Sequence, residues 1–229
     1  MKILLLIIIS FILSSHSNAQ SNYNNFNHYY GVQVNTGVTF FDLEPLKDEF
    51  NASVDMIRNT YNIPMEVQDL YPPNISWSAY LFWYISPRSS IVIGPEYTST
   101  RAYLMYQDYA GTFDVKSEIK LYYLSIGYRV HFFEVPIIQP FMGLNAGVAQ
   151  TDFKMDSELN INNGQILETD HSEVTDVGYS FEPYLGCTYD LKYVVLELVT
   201  AYKIVMLDKL LIAPDNFNIK LGVKVGVFK

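Results

Sequence analysis

Tyr122-Tyr123-Leu124-Ser125-Ile126-Gly127-Tyr128-Arg129-Val130-His131-Phe132 is the stretch on which the reading of this chain turns. Taken alternately, Tyr122, Leu124, Ile126, Tyr128, Val130 and Phe132 are apolar or aromatic, and Ser125, Gly127, Arg129 and His131 fall between them. Successive side chains of an extended strand point to opposite faces, so this segment has one oily wall and one polar wall.

Working outward, the same alternation predicts eight strands, at about 29–41, 75–86, 91–104, 115–133, 138–151, 175–189, 193–206 and 216–228. Composition places tight turns near 87, 135 and 191, and longer, mostly polar links over 42–74, 105–114, 153–174 and 207–215. An even count of long strands, with short turns at one end and long links at the other, fits an up-and-down barrel. Each segment also has the roughly 9–11 residues that cross a bilayer at a tilt.

Alternation alone leaves open which wall is wet, since a secreted soluble barrel alternates too. Two features favour lipid outside. The polar wall is built of Gly, Ser, Asn and Thr with few charges, which suits a crowded interior better than a water-facing surface. The apolar wall carries Tyr30, Phe40, Trp77, Trp83, Tyr122, Phe132, Tyr189, Tyr202 and Phe217 toward strand ends, as interfacial girdles do. The fold class expected is therefore all-β, an eight-stranded antiparallel transmembrane up-and-down barrel in a bacterial outer membrane.

The chain of 229 residues is 49% hydrophobic and only 17% charged, with a formal net charge of −9. An acidic chain without a basic stripe speaks against nucleic acid as a partner. The single Cys187 can form no internal disulfide and no metal cluster. Lys2, the apolar run Ile3–Leu13, and small residues at Ser17 and Ala19 describe a secretory signal peptide over 1–19. An Asn-rich lead-in follows over 20–28, and the barrel domain is expected over 29–229.

The whole mature pattern resembles the small outer-membrane β-barrel proteins of the OmpA/OmpX type, and most closely the PorT-like barrels of Bacteroidetes. The residues that carry this are Ser17-Asn18-Ala19-Gln20, the strands Gly143–Val148 and Pro183–Gly186, and the closing run Lys220–Phe228. The resemblance implies an outer-membrane location with both barrel ends in the periplasm and, loosely, a role accessory to a type IX-like secretion machine. The closing run departs from the common pattern: Phe228 falls in the inward phase and Lys229 follows it.

Charges of both signs share the inward phase: Glu96, Arg129, Glu182, Glu197, Lys203, Lys220 and Lys224. An unpaired charge there would cost several kcal/mol, so carboxylates are expected against cations as a plug of salt bridges. A narrow gated pore, opened by exchanging partners, is the alternative. In the first long link Leu43, Leu46, Phe50, Val54, Ile57 and Tyr61 recur at helical spacing, with Asp42 placed to cap the helix and Pro45 in its first turn. Their apolar stripe is either a lid on the barrel rim or, at Leu46, Phe50, Val54, Ile57 and Tyr61, a docking surface for a protein partner.

The outer links are acidic, without the spacing of a calcium loop, and read as a solvated surface. His171-Ser172-Glu173 is an adjacency, not a triad. The chain is read as a non-enzyme without cofactor or metal, a monomer among outer-membrane lipids; a lipid-modifying enzyme is the further alternative.

Overall fold

The computed structural model describes residues 30–61, 66–107, 111–132, 138–161, 165–191, 194–208 and 214–227. The segments read as a signal peptide (1–19) and a lead-in (20–28), and the terminal Phe228-Lys229, lie outside these residues. In chain order the elements are β1 (Tyr30–Asp42), α1 (Glu44–Tyr61), β2 (Glu66–Leu70), β3 (Asn74–Ser86), β4 (Ser89–Gln107), β5 (Gly111–His131), β6 (Ile138–Ile161), β7 (Gln165–Asp190), β8 (Val195–Leu207) and β9 (Asp215–Val227). Eight of the nine strands close into an antiparallel barrel: consecutive strands from β3 to β9 pair with each other, and β1 pairs with both β3 and β9. The ninth, β2, pairs among the described residues only with the outer part of β4, where Glu66–Leu70 lie against Ala102–Met105. Closure removes every edge within the barrel wall.

Strand phase follows the sequence. On β1, Val32, Val34, Val38 and Phe40 are exposed, while Gln33, Asn35 and Thr39 are buried. On β9, Phe217, Ile219, Leu221, Val223 and Val225 face out, and Asn216, Asn218, Lys220 and Lys224 face in. The exterior is thus oily and the centre polar, the inverse of a water-soluble domain. Val130 departs from its expected outward position: it is buried beside the buried His131. There the β3–β4 turn folds against the strand, and His131 N–H donates to the Arg88 carbonyl at 2.8 Å.

Aromatic side chains ring both limits of the apolar band. Tyr30 stands beside Trp83 at the base, the end that carries both described termini. At the opposite end, the mouth, Phe40 pairs with Phe217 and Tyr97 with Tyr122, their ring centroids 6.2 Å and 5.1 Å apart. From Tyr30 to Phe40 the strand runs about 33 Å, or about 25 Å along the axis at a tilt near 40°, the height of a lipid-facing band.

Above the band the chain does not dissolve into loops. The links expected over 105–114 and 153–174 are instead the upper parts of β4–β5 and β6–β7, which continue as hairpins to Gln107/Gly111 and Ile161/Gln165. The alternation continues there, with Ile119, Phe153 and Val174 sharing one face and Lys120, Asp152 and Thr175 the other. Cross-strand pairs on the polar face support the ladder. Lys154 Nζ meets Glu173 Oε1 at 2.9 Å, Thr175 donates to Asp152 at 2.9 Å, and His171 Nδ1 lies 2.5 Å from Asp156 Oδ1. With β2 these hairpins make an external sheet of order β2–β4–β5–β6–β7.

Inward glycines make room for the large interior side chains. A Cβ on Gly143 would sit 2.2 Å from the Tyr184 ring, its cross-strand neighbour. Gly143→Val should therefore cost about 1–3 kcal/mol of unfolding free energy. Outward Ala146→Val should be close to neutral; equal urea midpoints for both variants in detergent would refute this packing. In the external ladder, the Asp156 carboxylate, by hydrogen bond and by charge, holds the His171 imidazolium to a raised pKa. A raised value means the contact is fully present below the ordinary histidine range and is lost as pH rises through the folded value. NMR titration of Asp156→Asn should return the His171 midpoint downward.

Candidate functional site

The barrel interior is built in layers, each set by the inward phase of the strands. At the base Phe82, Val92, Phe141 and Tyr184 form an apolar floor. His131 stacks on Tyr84 with centroids 5.7 Å apart and meets Phe141 at 5.4 Å. The Arg129 guanidinium lies 4.2 Å above the Phe141 ring, a cation–π contact shielded from water.

Above the floor, Glu197 of β8 is held by three neighbours. Arg129 of β5 grips it with two hydrogen bonds, Nη1–Oε2 at 2.6 Å and Nη2–Oε1 at 3.0 Å. Lys224 of β9 reaches Oε2 at 2.5 Å, and Gln33 of β1 donates to Oε1 at 2.8 Å. Four strands thus converge on one carboxylate. The fork of Arg129 suits this bidentate role in a way a lysine could not.

The next layer is a four-membered ion ring. Lys203 Nζ lies 2.6 Å from Glu96 Oε1 and 3.3 Å from Glu182 Oε2. Lys220 Nζ lies 2.7 Å from Glu96 Oε2 and 3.1 Å from Glu182 Oε1. Each cation therefore bridges both carboxylates. Tyr80 donates to Glu96 at 3.0 Å, and the Lys203 ammonium sits 3.8 Å from the Tyr123 ring centroid. All seven inward charges named from the sequence are buried, and they fall into these two clusters rather than one. Between the clusters, Gln33, Tyr80, Arg129, Asn145 and Tyr184 line a cavity of about 20 Å³, space for about one water.

Sequence reading missed several members of this interior. Gln33 and Asn145 tie the carboxylates to neighbouring strands, and Asn145 donates to Glu182 at 3.4 Å. Thr39, Asn218, Asn216 and Tyr123 form a hydrogen-bonded chain above the ring. Asp176 is a further buried carboxylate, accepting the Val177 N–H at 2.9 Å. The signal for all of them was present, since each occupies an inward phase.

The mouth is sealed by apolar packing. Phe41, Leu43, Phe50, Tyr71, Leu104, Ile119, Leu121 and Tyr123 form a buried cluster, with Leu46 partly buried against it. α1 therefore lies with Leu46 and Phe50 turned to the barrel. Phe50 is buried in this arrangement and is closed to a partner, because the strand interior at this height is itself apolar and takes the ring. The side chains of Val54, Ile57 and Tyr61 lie outside the described residues. Asp42 does not cap α1; it remains in β1 opposite Asp215, and Leu43 precedes the helix.

Outside, His171 and Glu173 point to one face of β7 and Ser172 to the other, opposite Met155, so the Ser-His-Glu adjacency assembles no triad.

No protein-family model matches the chain, and no curated protein matches it. Among the solved structures similar to it are the following three. Neisserial surface protein A is 11% identical over 87% of this chain and 99% of its own, with a TM-score of 0.43. Ail, the attachment invasion locus protein of Yersinia pestis, is 10% identical over 88% of this chain and 100% of its own, with a TM-score of 0.42. The N-terminal β-barrel domain of Pseudomonas aeruginosa OprF is 10% identical over 86% and 97%, with a TM-score of 0.35.

Proposed function

We propose that this protein is an outer-membrane barrel with a closed lumen, and that its work is done by what it holds outside the membrane. The observation that carries the location is the inverted surface. Val32, Leu81, Ile126, Leu185 and Leu221 are all more than 45% exposed, while Lys203, Lys224 and Glu197 are at most 2% exposed. In water that arrangement would leave a broad apolar belt bare. In lipid it is the stable solution, because a closed strand ring satisfies every backbone group. The end with Tyr30 and Val227 then faces the periplasm, and the external sheet faces out.

Three barriers in series argue against steady conduction: the aromatic floor, the two ionic clusters, and the apolar seal under α1. The finer reading, a barrel accessory to a type IX-like secretion machine, enters through the resemblance of Gly143–Val148 and Lys220–Phe228 to PorT-like strands. A structural or partner-binding role through the acidic exterior fits the same geometry without it.

Cell fractionation should place the protein in the outer membrane, with folded and boiled forms of different gel mobility. Recovery in the soluble fraction without detergent would overturn the location. Purified protein in planar bilayers should give no steady channels; large stable openings would instead favour the gated pore. Glu197→Ala leaves Arg129 and Lys224 facing each other without their shared carboxylate. It should cost about 3–5 kcal/mol, as broken buried pairs do. Adding Lys224→Met should recover part of that loss, and a double variant no more stable than Glu197→Ala would refute the shared pairing.

A further inference from the structure

Within the barrel wall the ladder of paired residues is interrupted at two places, each beside a proline in a central strand. Between β3 and β4 the pairing runs to Ser78 opposite Glu96 and resumes at Leu81 opposite Ile93, in the same register. Between β7 and β8 it runs to Phe181 opposite Ile204 and resumes at Tyr184 opposite Ala201, again in the same register. Pro95 and Pro183 stand in the two gaps. A proline has no N–H to donate, so the carbonyls across from them, on Ala79 and Tyr202, lose their ladder donors. The other ladders of the wall run unbroken, and the shifts at Tyr84/Ser86 and Leu159/Asn160 lie beside hairpin turns. Each gap gives up a backbone hydrogen bond in an apolar belt, where a sheet that had only to be rigid would carry another outward residue.

The two gaps divide the wall in half. In ring order β4, β5, β6 and β7 lie on one side of them, and β8, β9, β1 and β3 on the other. The first group is one contiguous stretch of chain, Ser89–Asp190, and among the described residues it alone, with β2, carries the external sheet. Buried charge follows the same division. The tall half holds Glu96, Asp176 and Glu182 with Arg129, and the short half holds Lys203, Lys220 and Lys224 with Glu197. Every contact of the ion ring, and the Arg129–Glu197 fork, runs from one half to the other. Glu96 and Glu182 are the chain neighbours of Pro95 and Pro183, so both gaps lie at the level of the ring. The wall is therefore loosest where the lumen is most strongly tied. We infer that the barrel is built as two half-walls that rock against each other, with the proline gaps as hinges and the cross-lumen ion pairs as the latch. The tall half moves as one body, so a load on the external sheet is delivered to the ion ring.

The test uses full-length protein folded in lipid nanodiscs, with folding checked by gel mobility. NMR relaxation dispersion reads hinge motion on the microsecond-to-millisecond scale. The amides of Ala79 and Ile93 in one gap, and of Tyr202 and Ile204 in the other, should share one exchange rate, while amides of the β5–β6 and β9–β1 ladders stay quiet. Pro95→Val restores the missing donor, on an outward face that suits valine. A restored hydrogen bond should lower the minor-state population about fivefold, at Tyr202 and Ile204 across the barrel as well as beside the substitution. Pro183→Val should do the same in reverse, and it carries the test if Pro95→Val does not fold. Lys220→Met leaves the ring carboxylates to Lys203 alone and should raise the minor population at both gaps together. Local fraying gives a different pattern, in which each valine quiets only its own gap. That pattern overturns the proposal. So do unrelated rates at the two gaps, gap amides as quiet as those of β5–β6, or a Lys220→Met variant with unchanged exchange. The outer-membrane location is tested separately by fractionation, so either proposal can fail without the other.

Discussion

A ring of strands closed on itself, with an apolar outer wall, gives an inward charge no route to water. Every such charge must be answered inside, at the height where its strand places it. Glu197 shows how tightly this constrains the fold. Its carboxylate accepts from Arg129, Lys224 and Gln33, which belong to β5, β9 and β1. The ring of Lys203, Lys220, Glu96 and Glu182 likewise joins β8, β9, β4 and β7. Most of these contacts cross the barrel, while Lys224–Glu197 and Lys203–Glu182 join adjacent strands. A slip of one residue in any of these strands would turn its charge onto the apolar outer wall, so the ionic clusters fix the register of the whole wall.

How much of this the amino-acid sequence discloses depends on whether burial leaves a period. Where one wall is apolar and the other polar, the alternation is plain, and the strands, their phase and the seven inward charges can be read directly. The pairing is not legible, because Arg129 and Glu197 are far apart in the chain and meet only once the barrel closes. The external sheet is invisible for a different reason. Charged and polar residues crowd these segments, so Asp152, Lys154 and Asp156 on β6 look like loop residues although they alternate with Phe153 and Met155 in a regular ladder. The helix announces itself by spacing, but spacing cannot say what its stripe touches. Phe50 faces the barrel because the interior beneath the mouth is apolar, a fact set by Leu104, Ile119 and Leu121 on other strands.

The interior is graded along the axis, and that grading divides the labour of the fold. Aromatic rings close the base, charges fill the middle, amides and hydroxyls sit above them, and aliphatic and aromatic side chains together seal the mouth. The charged middle contributes specificity of register more than net stability, since buried pairs offset much of their own desolvation. The apolar mouth contributes the favourable burial that lets α1 stay seated. Neither layer could do the other's work. An apolar middle would leave register loosely specified, and a charged mouth would give the helix nothing to pack on.

Tyr71 joins the lid to the external sheet. Its φ of 49° is one that side chains larger than glycine seldom adopt, at a cost of about 1–2 kcal/mol. That conformation persists because the surroundings over-determine it. Its N–H donates to Arg101 of β4 at 2.8 Å, its hydroxyl meets Ser117 of β5 at 2.9 Å, and its ring packs edge-on against Phe50 of α1. The helix, β2 and the roots of the external strands are thereby fastened to one another and to the barrel. A sheet anchored this way holds its outer strands in fixed register above the barrel mouth.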